Sequence, residues 1–109
     1  MAKKVSLSNG RNWSKQGDAM EHFKAMLARY KNGERVTDPQ DHDDLSALLI
    51  PYDGLLPAGA DTKIGEGISH FTREVNIGDR WRSSGFHVHR IDGSSIDFSY
   101  IDAVRAASS

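Results

Sequence analysis

The sequence predicts an α+β domain, with a small, mainly antiparallel β-sheet and helices packed on one face, in the order β-β-α-α-β-β-β-α. Three observations carry that expectation. Residues 85–100 hold two runs of alternating apolar and polar side chains around Asp92-Gly93, the period of half-buried strands. Residues 14–31 repeat apolar side chains at helical spacing, and residues 3–13 show the hairpin grammar again in miniature. A chain of 109 residues supports one modest core and so a single domain, 1–109.

In the first hairpin Val5 and Leu7 alternate, Asn9-Gly10 turns and Trp13 follows. A loop of Ser8-Asn9-Gly10 with Gly10 left-handed sets Val5 opposite Trp13, whereas a two-residue turn would set Trp13 opposite Ser6. Ser14 is the expected cap of a helix running to Lys31, with Ala19, Met20, Phe23, Met26, Leu27 and Tyr30 facing the core. Lys31 is expected to meet its negative end and Asn32-Gly33 to stop it.

Thr37-Asp38-Pro39 signals a second helix start, and Asp41, Asp43 and Asp44 gather at its positive end. Leu45, Leu48 and Leu49 supply its buried stripe, and Pro51 is expected to end it. These acids and His42 lack calcium-loop spacing, and a helix start already accounts for them. Residues 52–62 read as a surface loop. KIGEGI, residues 63–68, reads as a tight turn rather than a nucleotide fingerprint, because strand residues follow it where a fingerprint needs a helix.

A strand is expected from 68 to about 75 or 77, then a polar loop, 78–84, carrying Arg80, Trp81 and Arg82. In the central hairpin a three-residue loop, 91–93, with Gly93 left-handed, pairs Phe86 with Phe98 and Val88 with Ile96. A two-residue loop would set Val88 opposite Asp97 and mix the faces, which a half-buried sheet resists. The favoured register puts His87 across from Asp97 and His89 across from Ser95 on the polar face. Ser99 then starts a last helix, 100–106, with Asp102 in a capping-box-like position.

Composition narrows the function classes. The absence of cysteine excludes a disulfide framework, a zinc ribbon and a thiol nucleophile, and suits a reducing compartment. No stretch reaches the roughly 18 apolar residues of a membrane span, and the opening residues lack a signal-peptide core. The expectation is a cytoplasmic, soluble protein with no membrane partner. The net charge of −1 hides segregation: residues 36–62 hold six aspartates and no lysine or arginine, which leaves +5 on the remainder. A basic face on a near-neutral protein is therefore permitted.

Lys63, Ile64, Gly65, Gly67 and Ile68, then Phe86, Val88, Arg90, Asp92, Gly93 and Ser94, then Asp97, Phe98, Ser99 and Tyr100 resemble the domain of the plant defective-chloroplasts-and-leaves (DCL) proteins. Bacterial relatives of that domain, of unknown function, can stand alone or accompany nuclease domains. FKAMLARY in the first helix fits as well. Gly85 stands where a cysteine is common, and Asp102-Ala103 where Lys-Cys is common, so neither a thiol role nor a basic contact transfers to those points. The resemblance implies a link to RNA, since the plant members are implicated in plastid ribosomal RNA processing. It implies no catalytic residues.

The nucleic-acid-binding candidates are Arg80, Trp81 and Arg82, with Arg73, His87, His89, Arg90 and Lys63. Arginine pairs phosphate or stacks on a base, and a loop tryptophan offers a stacking platform. The expected function is a non-enzymatic module binding RNA, single-stranded or structured, or an RNA-associated protein, without cofactor or metal. Two other readings stand beside it. One is a protein-interaction module using Trp81 and the strand face. The other is a small RNA-cleaving enzyme with His87 oriented by Asp97. A metal held by His87, His89 and Asp97 would need a fourth ligand from His70 or His22.

Overall fold

Phe71, Phe86, Val88 and Phe98 alternate with polar neighbours along three strands, and all four belong to one buried cluster with the apolar stripes of the helices. The computed structural model describes residues 3–57, 59–60, 62–77, 79 and 82–108. The elements are β1 (Val5–Ser6), β2 (Asn12–Trp13), α1 (Gln16–Ala28), α2 (Pro39–Gly54), β3 (Ile68–Ile77), β4 (Arg82–Arg90), β5 (Ser95–Phe98) and α3 (Tyr100–Ala107). The α+β class and the element order are those the sequence predicts.

Strands β3, β4 and β5 form one antiparallel sheet in that spatial order, and β1 pairs with β2 separately. Both hairpins take the bulged registers that keep their faces unmixed. Val5 faces Trp13, Phe86 faces Phe98, Val88 faces Ile96 and His87 faces Asp97. Gly10 and Gly93 both adopt φ of 90°, the left-handed geometry each three-residue loop requires. Residues 33–36 add an edge beyond β3 that the sequence did not announce. Gly33 N donates to Arg73 O at 2.6 Å, Arg73 N to Glu34 O at 3.0 Å and Val36 N to Phe71 O at 2.8 Å. Arg35 is thereby paired with Thr72.

Four local expectations change. The N-cap of α1 is Lys15, not Ser14, and no side chain caps it. The same helix stops at Ala28, and its C-terminal carbonyls are met by Arg73 rather than Lys31. Arg73 Nη1 donates to Leu27 O at 2.9 Å and to Tyr30 O at 3.0 Å. Helix α2, capped by Asp38 with Pro39 in its first turn as predicted, runs through Pro51 to Gly54. Its last turn is anchored from outside, since Asp53 accepts from Lys63 N at 2.8 Å and Ile64 N at 3.0 Å. Proline costs a helix most in its interior, and here only one turn follows it. Finally, β4 begins at Arg82, so Arg82, Ser83 and Ser84 are strand rather than loop, held by pairing with Ile77, Asn76 and Val75.

Asp41 lies in the first turn of α2 as expected, but neither it nor Asp44 is a surface acid; both are buried. Asp41 accepts from Arg29 Nη2 at 2.8 Å and from the Tyr30 hydroxyl at 2.7 Å. Burial and that bond push the Tyr30 phenol up to about 12. Asp44, fully enclosed, accepts from Asn9, Arg11, His22 and Gln40. This network ties the small hairpin and α1 to α2. Burial opposes ionisation of Asp44, but the hydrogen bonds from Gln40, His22 and Asn9 and the charge of Arg11 outweigh it, holding the carboxyl below its ordinary 3.8.

Candidate functional site on the polar face of the sheet

Because side chains alternate along a strand, the residues between the buried ones share the opposite face. Pairing sets His70 beside His89 and Thr72 beside His87. Asp97 lies beyond His87 on β5, and Arg35 beyond Thr72 on the added edge. Five histidine, arginine and carboxylate positions, His70, His87, His89, Arg35 and Asp97, thus fall on adjacent strands of one surface.

The rings of His70 and His89 are stacked, 4.3 Å between centroids and 10° from parallel. A register shift between Ile68 and His70 brings them side by side. Each ring is also tethered: Ser69 Oγ lies 3.0 Å from His70 Nδ1 and Thr72 Oγ1 lies 2.9 Å from His89 Nε2. Burial lowers the His70 pKa below its ordinary 6.5, and the charges of His89, Arg35 and His42 lower it further.

His87 turns toward Asn76, not toward the Asp97 it faces, with its Nε2 2.9 Å from Asn76 Oδ1. Asn76 reaches it across Gly85, where an added Cβ would come 3.3 Å from Asn76 Nδ2. Burial lowers the His87 pKa as well, against the pull of Asp97 and Glu74. The two ends of the face therefore differ: arginine and imidazole at Arg35, His70 and His89; carboxylates around His87.

The candidates read from sequence divide sharply. Arg80 and Trp81 lie outside the described residues. His87 and His89 share the polar face, half-buried. Arg82 is exposed at the start of β4, opposite Ile77. Arg73 is committed to the end of α1, its Nε also donating to Asn32 Oδ1 at 3.0 Å. Arg90 donates from Nε to Lys63 O at 3.0 Å, from Nη2 to Thr62 O at 2.7 Å and from Nη1 to Ser94 Oγ at 3.2 Å. Lys63 donates its Nζ to Asp97 O at 2.9 Å. Arg73, Arg90 and Lys63 thus already hold the fold together, whatever else they touch.

Sequence reasoning missed Arg35 and the His70–His89 stack. Arg35 carried no signal, since Glu34-Arg35-Val36 shows no alternation of apolar and polar side chains. The stack carried none, because it depends on a bulge and on pairing between distant residues. His22, once a candidate fourth ligand beside His87 and His89, is bonded to Asp44 and packed on Trp13 at 5.1 Å between ring centroids. Among the described residues no group of three or more His, Asp or Glu side chains is placed to hold a metal ion.

Fold and site together define a small α+β domain whose antiparallel sheet buries one face under helices and presents a histidine- and arginine-bearing face on the other. Residues 24–104 match the family described as a protein of unknown function, DUF3223, and the chain belongs to that family. It is similar to an uncharacterized protein from Rhodospirillum rubrum solved by solution NMR. The two share 27% identity over 94% of this chain and 89% of that one, with a TM-score of 0.73. No curated protein matches the chain.

Proposed function

We propose that the domain is a non-enzymatic RNA-binding module, and that a single strand lies across the polar face of the sheet with its bases along His70 and His89. The observation that carries this reading is the flat imidazole pair beside Arg35 on a half-exposed antiparallel sheet. Histidine rings stack on unpaired bases, and arginine supplies the phosphate contact or a second stacking plane. The resemblance of residues 63–100 to the DCL-type domain supports RNA as the ligand class, by analogy with members linked to ribosomal RNA processing. Catalysis has weaker support, since His87 bonds an amide and faces no assignable nucleophile. The reading goes with a cytoplasmic protein, and none of the described helices is long and apolar enough to cross a membrane.

Titration of labelled protein with a single-stranded RNA, followed by backbone amide shifts, tests it. Saturable shifts on His70, Thr72, His87 and His89 are the expected result. Shifts confined to Ser83, Ser84, Tyr100 and Ile101, which line the far end of a cleft that also includes Asn76, Gly85 and Asp97 near His87, would move the interface to the stretch of β4 that β5 leaves unpaired. A protein whose sheet face ignores RNA but responds to a peptide partner would replace this reading with the protein-interaction one.

A further inference from the structure

Arg35, Thr37, His42 and Ser69 line an open cleft of about 580 Å³ where the added sheet edge meets the first turns of α2. Its charge is unusual for this molecule. Elsewhere the basic groups meet acids, Arg11 and His22 on Asp44 and Arg29 on Asp41, or backbone carbonyls, as Arg73, Arg90 and Lys63 do. At this cleft Arg35 and His42 line the wall together, and among the described residues neither side chain forms an ion pair with a carboxylate. The Arg35 side chain takes part in none of the hydrogen bonds or ion pairs among the described residues. His42 sits edge-on to Phe71 at 5.3 Å between centroids, which fixes its ring at the cleft wall.

The charges acting on neighbouring His70 come from His89, Arg35 and His42, with no carboxylate among them. The nearest acids in sequence are occupied. Asp38 accepts from Gln40 N and Asp41 N, and Glu34 from Lys31 N. A cluster of cation-capable groups with two hydroxyls, whose flanking carboxylates are turned to backbone amides, has the donor set of an anion site.

We propose that this cleft seats a phosphate group, paired by Arg35, flanked by His42, and given hydroxyl donors by Ser69 and Thr37. The proposal rests on the RNA reading for the phosphate's source, a strand whose bases continue along His70 and His89. A free phosphate ion offers the same chemistry. Two titrations at pH 6 separate these sources, one with inorganic phosphate followed by histidine ring and amide resonances, the other with single-stranded RNA followed by anisotropy.

The expected result is saturable phosphate shifts at Arg35, His42 and Ser69. In Arg35→Ala, RNA affinity falls about tenfold, the worth of one charge-assisted hydrogen bond, and the salt slope shrinks. His42→Gln, which keeps a donor but no positive charge, should weaken binding less. RNA affinity that falls in Arg35→Ala while the free ion stays silent supports the strand as the source. Phosphate shifts without RNA binding would keep the site and remove RNA. A silent ion together with RNA binding lost in His89→Ala but indifferent to Arg35→Ala would overturn the site and leave the RNA reading standing.

Discussion

Asp44 shows what a single buried carboxylate does here. Enclosed and accepting from four side chains on three segments, it cannot be neutralised without leaving donors unpaired. Asp44→Asn, nearly the same shape, points amide hydrogens at some of those donors. We expect it to lower the unfolding free energy by about 3 kcal/mol in urea denaturation; a loss under about 1 kcal/mol would show the network to be dispensable. The position was legible in principle. Asp41, Asp44, Leu45 and Leu48 stand at i, i+3, i+4 and i+7, so the apolar stripe of α2 continues backwards through two acids.

Ionisation of the same groups sets the acid response. The folded pKa of Asp44 lies below 3.8, so its contribution is complete above that value and lost as pH falls through the folded pKa. His70 and His87 have folded values below 6.5, so the unfolded chain takes up protons first. Their contribution is complete above 6.5 and declines as pH falls from there toward the folded values. Denaturant midpoints measured from pH 7.5 downward should therefore begin to fall below about pH 6.5, with a second decline below about pH 4. A midpoint flat between pH 7 and pH 5 would contradict the histidine assignment.

The turn before β3 and the hairpin tip of β4–β5 act as one element. Arg90 reaches back to the carbonyls of Thr62 and Lys63, and Gly67 O accepts from Ile91 N at 3.1 Å. Gly65 must be glycine twice over: its φ is +56°, and a Cβ there would come 2.9 Å from Arg90 Nε. Gly65→Ala should destabilise by about 1–3 kcal/mol. Arg90→Lys, which loses the fork, should speed amide exchange at Gly67 and Ile91 ahead of the rest of the sheet. Protection at Gly67 and Ile91 unchanged from the natural chain would mean the clasp is not a unit. The glycines were readable as turn residues, but Arg90 as the object they wrap was not, because it lies 25 residues further on.

The same distinction explains the rest of the fold. Hairpin registers are local parity problems, and Gly10 and Gly93 solved them. The start of β4 was hidden because Arg82-Ser83-Ser84 is polar, and only its partner β3 makes it strand. The site was half legible for the same reason. His87 and His89 announced the polar face by alternation, whereas Arg35 and the stack with His70 arise only when residues 33–36, β3 and β4 come together.

At the scale of the whole molecule, one sheet divides two jobs. Its apolar face closes the core against three helices, and its polar face keeps imidazoles and an arginine half-open to solvent. The charge segregation along the chain agrees with that division, since Asp41, Asp44 and Asp53 are consumed inside the fold as acceptors. If the polar face binds a polyanion, lowering pH from 7.5 to 5.5 should strengthen RNA binding, as histidines gain charge beside phosphate. The most direct measurement is anisotropy of a labelled single-stranded RNA at about 50 mM and about 200 mM salt, for the natural chain and for His70→Ala with His89→Ala. The account predicts affinity that falls with salt, by about 0.7 in log slope per neutralised phosphate, and binding weakened at both salts when the stacked pair is removed. Absent or salt-insensitive binding, or binding untouched by loss of both rings, would contradict it.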